Sequence, residues 1–244
     1  MALGPDDRFS SRARPMDTQY AAAAGIDVGL RQYMLKVYNY MTGALALTGV
    51  IAYAVASSET ALQMIFGTGL SWIVMLSPLA FVLVLSFGIN RMKASTAQLV
   101  FWAFAGVMGL SMASIFIQFT GASIARVFFI TSATFAGMSL WGYTTKRDLS
   151  GFGSFLFMGL IGLIIAMVVN IFLQSSALHF VISAGGVLVF TGLTAYDTQK
   201  IKSLYLEADG SETMTKKAIM GALTLYLDFI NLFIMLMQLL GQRR

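Results

Sequence analysis

The chain has 244 residues, of which 57% are hydrophobic and only 11% charged, whereas a soluble domain carries about 25% charged residues. A single soluble core cannot bury so much apolar surface, so the composition indicates a polytopic membrane protein. The absence of cysteine excludes disulfides and thiol chemistry, and one histidine is too few for a histidine-based metal site. We therefore expect no resident cofactor.

The first 28 residues differ from the rest because they are polar and contain no long apolar run. No apolar segment follows the early arginines, so the sequence shows no cleavable signal peptide. We interpret residues 1–28 as a flexible polar tail in the cytosol and residues 29–244 as the membrane domain.

Seven later stretches are each long and apolar enough to cross the membrane as a helix, which takes about 20 residues. Their connections are short, so we predict an all-α bundle of seven transmembrane helices. The predicted spans are Tyr33–Ala56, Leu70–Ile89, Ala97–Phe119, Ser123–Tyr143, Phe152–Leu173, Leu178–Ile201 and Lys217–Leu240.

Lysine and arginine are distributed unequally between the two ends of these spans, which predicts the orientation. With the N-terminus in the cytosol, 13 of the 16 basic residues fall on the cytosolic side. Arg126, Arg243 and Arg244 fall on the other side. We therefore expect a cytosolic N-terminus and an exoplasmic C-terminus. The net charge of +5 reflects this topology and requires no nucleic-acid partner.

Two of the eleven acidic residues lie within the predicted spans, Asp197 in "GLTAYDTQKIK" and Asp228 in "LTLYLDFINLF". A carboxylate at the bilayer centre costs roughly 2.5–3.5 kcal/mol, so it is rarely there by accident. Polar residues at helical spacing accompany each aspartate and form two stripes, which should face the bundle interior; a structural role for them stays open. The stripes are Thr191, Thr194, Asp197 and Thr198 on the sixth span, and Thr224, Asp228 and Asn231 on the seventh.

Counting residues along the two helices puts the aspartates roughly 10 Å apart in depth, both in the cytosolic half, a difference that helix tilt can remove. If the carboxyls meet, they cannot both ionise cheaply, so we expect them to share a proton and to separate when both are charged. Ionised, they offer the hard oxygen ligands that Ca²⁺ takes. Arg91, at the cytosolic end of the second span, is either a countercharge or an interfacial basic residue.

The sequence contains no P-loop, GxGxxG, HExxH or GxSxG motif, so we expect no enzymatic activity. Intramembrane aspartyl proteases also carry two aspartates on consecutive helices, in a YD and a GxGD motif. "YD" occurs at 196–197, but Leu227 precedes Asp228 where that signature has glycine. The protease alternative is therefore disfavoured.

The two aspartate-bearing stretches, "AYDTQKIK" and "LYLDFINLF", resemble the signatures of the Bax inhibitor-1 (transmembrane Bax inhibitor motif) family. "RQYMLKVYNYMTGALALTG" at the first span and "RMKAS" after the second are similar too. The resemblance runs from about residue 25 to the end of the chain. The short loops and the polar, basic tail fit the bacterial branch.

This resemblance implies a bundle whose C-terminal helix is central and surrounded by the other six. It implies a pH-sensitive calcium leak across a bacterial inner membrane, in which Asp197 and Asp228 sense pH and transiently bind Ca²⁺. A basic residue of the second helix would engage this pair; Arg91 matches it, or Asn90 occupies its position. Some members also carry a carboxylate in the second helix, which this chain lacks.

The resemblance also supports an alternative function. Other bacterial members are linked to a membrane-bound AAA protease as substrates or modulators, and eukaryotic members to suppression of cell death. The alternative is thus a regulator or protease substrate that transports nothing. Its polar tail, residues 1–28, would be the part that a partner grips.

Overall fold

The computed structural model describes the backbone of residues 15–244 and the side chains of residues 28–244. The described residues form eight α-helices joined by short connections. They are α1 (Pro15–Ala56), α2 (Glu59–Phe66), α3 (Leu70–Gly88), α4 (Ala94–Gln118), α5 (Gly121–Thr144), α6 (Ser150–Leu173), α7 (Ser176–Ser203) and α8 (Ser211–Leu240). Of the predicted tail, residues 1–28, residues 1–14 lie outside the described backbone and residues 15–28 belong to α1, and the tail's flexibility stays a prediction.

Seven of these helices are long and apolar enough to cross a membrane, which confirms the predicted bundle of seven transmembrane helices. The eighth, α2, is a short helix between the first two spans, and it begins where the Ser58 Oγ accepts a hydrogen bond from the Ala61 N–H at 3.3 Å. Helix α8 begins at Ser211, six residues before the predicted span. Hydropathy identifies the part of a helix in hydrocarbon, whereas polar residues continue the helix beyond it.

Helix α8 lies at the centre of the bundle, as the family resemblance implied. Its most apolar window is 72% buried, whereas no other span exceeds 39%. It packs against α1, α4, α5 and α7 and touches α3. Helices α3 and α6 lie at the periphery, where Phe87 and Phe172 are 80% and 83% exposed. Such apolar outer surfaces suit contact with lipid chains.

A hydroxyl pair ties the central helix to two of its neighbours. Thr48 of α1 donates to the carbonyl of Ala105 on α4 at 2.8 Å. The Tyr226 hydroxyl of α8 lies 2.7 Å from the Thr48 hydroxyl, and because the Thr48 proton is used, Tyr226 donates this second bond. The Tyr226 ring packs edge-on against Phe104. Both hydroxyls are thus satisfied without water deep in the bundle.

Pro78 interrupts the hydrogen-bond ladder of α3, and two serines compensate for the missing donor. Proline has no N–H, so the carbonyl of Val74, four residues earlier, loses its helical partner. Ser77 donates to that carbonyl at 2.9 Å and Ser111 of α4 donates to it at 2.7 Å. The requirement that backbone polar groups be satisfied in lipid thereby becomes a link between α3 and α4.

The last residues of the chain return to the corner between α4 and α5. Beyond the end of α8, the carbonyl of Gln242 accepts from the Thr120 N–H, and the Arg244 N–H donates to the carbonyl of Gln118, both at 3.0 Å. The Ser123 Oγ accepts from the Gln242 N–H at 3.1 Å. This short antiparallel pairing fastens the end of α8 to the adjacent helices.

We expect Ser111→Ala to lower the free energy of unfolding by about 1 kcal/mol, because the Val74 carbonyl loses its interhelical donor. In a Pro78→Ala background residue 78 regains its N–H, so the same substitution should cost much less there. Unfolding of the purified protein in mixed micelles, followed by circular dichroism, measures both values. Ser114→Ala is the control, because Ser114 donates within α4 to the Ser111 carbonyl. Equal losses in the two backgrounds would contradict the compensation.

Candidate functional site

Helices α7 and α8 run antiparallel in close contact, and glycines permit their approach at two levels. A Cβ atom added to Gly186 would lie 2.7 Å from the Met235 Cγ, and one added to Gly221 would lie 2.9 Å from the Ile201 Cγ2. Small residues at such interfaces let membrane helices approach closely. These two contacts fix the register of the helices, and between them lie Asp197 and Asp228.

The structure brings Asp197 and Asp228 together. Their carboxyl groups lie within hydrogen-bonding distance of each other. Asp228 is only 5% exposed, and Asp197 is half-buried. The depth difference of roughly 10 Å that residue counting gave does not separate them, because neighbouring membrane helices tilt and need not end at the same depth.

The buried carboxyl of Asp228 lacks a hydrogen-bond donor for one of its oxygens. Its Oδ2 is buried and receives no hydrogen bond from the N–H and hydroxyl groups of the described residues. Two ionised carboxylates in contact would also repel each other in surroundings of low dielectric constant. A proton shared between the two carboxyls supplies the donor and removes the repulsion. The pair is therefore able to gain and lose a proton as a unit.

The threonines predicted on the α7 stripe are buried beside the pair, but their hydroxyls bond elsewhere. Thr194 donates to the carbonyl of Phe190 at 2.8 Å, and Thr198 donates to that of Thr194 at 2.7 Å. Thr191 is half-buried and has no hydrogen bond among the described side chains. Thr194 and Thr198 thus lie buried in the bundle, and their hydroxyls bond to carbonyls of their own helix.

A chain of hydroxyls that sequence reasoning missed links three helices beside the carboxyl pair. The Thr198 Oγ1 lies 2.9 Å from the Ser139 Oγ on α5, which in turn bonds to the Tyr38 hydroxyl on α1. The only sequence signal for Ser139 is its helical spacing with the buried Thr131 and Phe135. The chain ends next to Asp197, so it connects that carboxyl's surroundings to α1.

The predicted stripe of α8 satisfies its own backbone. Thr224 donates to the carbonyl of Met220 at 3.1 Å, and the Asn231 amide donates to that of Leu227 at 2.8 Å. Both side chains are half-buried and lie one turn on either side of Asp228. Neither forms a described hydrogen bond with the carboxyl pair.

Arg91 lies apart from the carboxyl pair in this structure. It is exposed in the turn that follows α3, and the ion pairs of the described side chains do not include it. The described cation that acts on Asp197 is Lys200, about one helical turn further along α7. A role for Arg91 as countercharge stays a prediction.

A cavity of ≈650 Å³ opens between α1 and α5 and reaches the hydroxyl chain. Its lining includes the buried Ser139, the half-buried Tyr38 and Tyr143, and the exposed Arg31. The two helices therefore leave a route from the bundle surface to the polar groups beside Asp197.

The carboxyl pair is a sparse site for a metal ion. Ca²⁺ takes six to eight oxygen ligands, and two carboxylates provide at most four of them. Among residues 28–244, no group of three or more histidine, cysteine, aspartate or glutamate side chains is placed to hold a metal. A Ca²⁺ ion at Asp197 and Asp228 would need water or carbonyl oxygens as well. Such an incomplete set of protein ligands favours transient over permanent binding.

The fold and the site together define a class: a multi-pass helical membrane protein with two carboxyls in contact inside the bundle. The chain belongs to the Bax inhibitor-1 family, because the family model described as "Inhibitor of apoptosis-promoting Bax1" matches residues 30–244. This confirms the identification made from the two aspartate-bearing motifs.

Bacterial relatives resemble nearly the whole chain. The uncharacterized protein RP147 of Rickettsia prowazekii is 55% identical over 218 residues, which cover 89% of this chain and 92% of its own. The inner membrane protein YbhL of Escherichia coli is 47% identical over 219 residues, covering 88% and 94%. An uncharacterized protein of Caulobacter vibrioides is 42% identical over 248 residues, covering 98% of both chains.

The hydroxyl chain depends on the close approach of α5 to α7 at Gly142. A Cβ atom there would collide with the carbonyl oxygen of Ala195, which cannot move aside as a flexible side chain would. We expect Gly142→Ala to lower the free energy of unfolding by about 1–3 kcal/mol. Gly137→Ala on the same helix is the control, because a Cβ at Gly137 has no atom within 4 Å to meet. Thermal unfolding in detergent measures both, and equal stability of the two variants would contradict the close contact.

Proposed function

We propose that this protein is a pH-sensitive Ca²⁺ leak channel of a bacterial inner membrane, gated by protonation of Asp197 and Asp228. The observation that carries the proposal is the contact between these two carboxyls, one of them buried, on the central helix and its antiparallel neighbour. Ionisable groups inside a membrane bundle typically mark ion pathways and proton relays. Membership of the family supports the proposal, and the similarity to YbhL, an inner membrane protein, supports the compartment.

The proposed gate works through the charge of the pair. With one proton shared, the carboxyls attract each other and hold α7 against α8. When the pH rises and both ionise, like charges in contact repel strongly in a medium of low dielectric constant, and the contact loosens. The separated carboxylates then offer oxygen ligands to Ca²⁺, which passes down its gradient without enzymatic chemistry.

A cation on α7 lies near the carboxyl pair. Lys200 is the described group on α7 whose charge acts on Asp197, and it favours the ionised carboxylate. In the proposed orientation, with a cytosolic N-terminus and an exoplasmic C-terminus, the pair lies in the cytosolic half and responds to cytosolic pH.

We expect Ca²⁺ flux into liposomes containing the purified protein to rise with pH, because a one-proton switch changes its ionised ratio about tenfold per pH unit. Asp228→Asn should abolish this pH dependence, because the amide donates to Asp197 permanently and does not titrate. Asp197→Asn should do the same. A Ca²⁺-sensitive dye inside the liposomes measures the initial rate at each pH.

Glu207→Gln provides the matched control for these variants. It removes one carboxylate from the connection between α7 and α8, where Glu207 is exposed, and the pH profile should remain that of the wild type. Flux that depends on pH in the same way in all four proteins would overturn the gate. Flux absent from the wild type at every pH would overturn the channel.

A second candidate function is a regulator or substrate of a membrane-bound AAA protease that transports nothing. The observation that favours it is the polar composition of residues 1–28, which a seven-helix channel does not require. Such a segment offers an unfolding protease a place to begin.

Deleting residues 1–14, which precede α1, separates the two functions. A channel should keep its pH-dependent Ca²⁺ flux, because the carboxyl pair is more than 180 residues away in sequence. A protease substrate should instead resist degradation once the segment is deleted. Pulse-chase measurement of the protein's lifetime in a bacterial membrane detects this. If the undeleted protein passes no Ca²⁺ and the deleted protein has a longer lifetime, the regulator replaces the channel as the proposed function.

A further inference from the structure

A second polar cavity lies on the other side of α7, between its C-terminal end and the connection from α5 to α6. It has a volume of ≈320 Å³, and three of its wall residues are cations: Lys146, Arg147 and Lys200. All three side chains are exposed at the helix ends. Among the described side chains, none of the three forms an ion pair. The charges of Lys146 and Arg147 are therefore available to a ligand, and Lys200, whose charge also acts on Asp197, adds a third.

The one carboxylate in the cavity wall is already engaged. The Asp148 Oδ1 accepts a hydrogen bond from the Ser150 N–H at 2.9 Å, at the first residue of α6. The side chain and the backbone N–H of Ser150 hold the pKa of Asp148 below its ordinary value. Asp148 thus forms a local turn just before α6, where the helix dipole also favours negative charge, and the three cations leave the cavity with a net positive charge.

Hydrogen bonds fix the cavity walls in place. The Gln199 side chain on α7 accepts from the Leu149 N–H at 2.9 Å and donates to the Arg147 carbonyl at 2.8 Å. Lys200 lies over the Tyr196 ring, 5.8 Å from its centre. A ligand that binds here meets cations whose backbone and neighbours are already ordered, which reduces the entropy lost on binding.

We propose that this cavity binds the phosphate headgroup of an anionic phospholipid. The net positive charge of the cavity complements the negative charge of a phosphodiester, and basic pockets between helices at the membrane surface are suited to anionic headgroups. An exposed apolar surface of α6 begins at the cavity with Phe152 and continues through Phe155, which are 44% and 64% exposed. Acyl chains of the same lipid would lie along that surface, whereas inorganic phosphate would gain only the ionic contacts. The site does not depend on the proposed channel function.

Native mass spectrometry of the purified full-length protein tests the site by titration with phosphatidylglycerol and with phosphatidylcholine. We expect the wild type to bind one phosphatidylglycerol at least about tenfold more tightly than phosphatidylcholine. Lys146→Ala/Arg147→Ala should weaken the phosphatidylglycerol affinity about tenfold or more. Both residues are exposed, and the Arg147 carbonyl that Gln199 uses remains, so the fold should persist. Lys200→Ala removes the third cation from α7 and should weaken the same affinity independently.

Lys93→Ala/Lys216→Ala is the matched control, because it removes two lysines that do not line the cavity. Its phosphatidylglycerol affinity should equal that of the wild type. An equal loss in the control, or wild-type affinity in both cavity variants, would overturn the site. Inorganic phosphate added as competitor should displace the lipid only weakly; displacement at concentrations similar to those of the lipid would assign the cavity to a soluble anion instead.

Discussion

The contact between Asp197 and Asp228 is the constraint on which the rest of this structure depends. Two carboxyls in a medium of low dielectric constant must share a proton or move apart, and Asp228 has no other described donor for its buried oxygen. The helices that carry them must therefore be held together by other contacts, because the pair by itself cannot guarantee attraction. The glycine contacts on either side of the pair, at Gly186 and Gly221, serve this purpose.

Several other buried polar groups of the bundle find partners among hydroxyls and backbone carbonyls. The Thr48 and Tyr226 hydroxyls satisfy each other and a carbonyl, and Ser111 satisfies the carbonyl that Pro78 leaves free. None of these bonds involves Asp197 or Asp228. These links between the helices therefore do not depend on the charge of the carboxyl pair.

The sequence predicted the seven spans well because each apolar run is as long as the hydrocarbon core is thick. It missed α2, because eight residues cannot cross a membrane and hydropathy does not detect a capped surface helix. Asp197 and Asp228 were predictable as the acids inside spans, but their contact was not, because it depends on the register that close-packed glycines set. Ser139 was missed because a single hydroxyl in an apolar helix looks the same whether it bonds its own backbone or a neighbouring helix.

The central position of α8 has a consequence for how the protein is made. A ribosome delivers the chain from its N-terminal side, so the other six spans enter the membrane before the helix around which they pack exists. Until α8 arrives, Thr48 lacks the Tyr226 hydroxyl and Asp197 lacks its carboxyl partner. Before α8 inserts, Asp197 therefore has no carboxyl partner and the centre of the bundle is unoccupied. Insertion of this one helix fills the centre and supplies the partner.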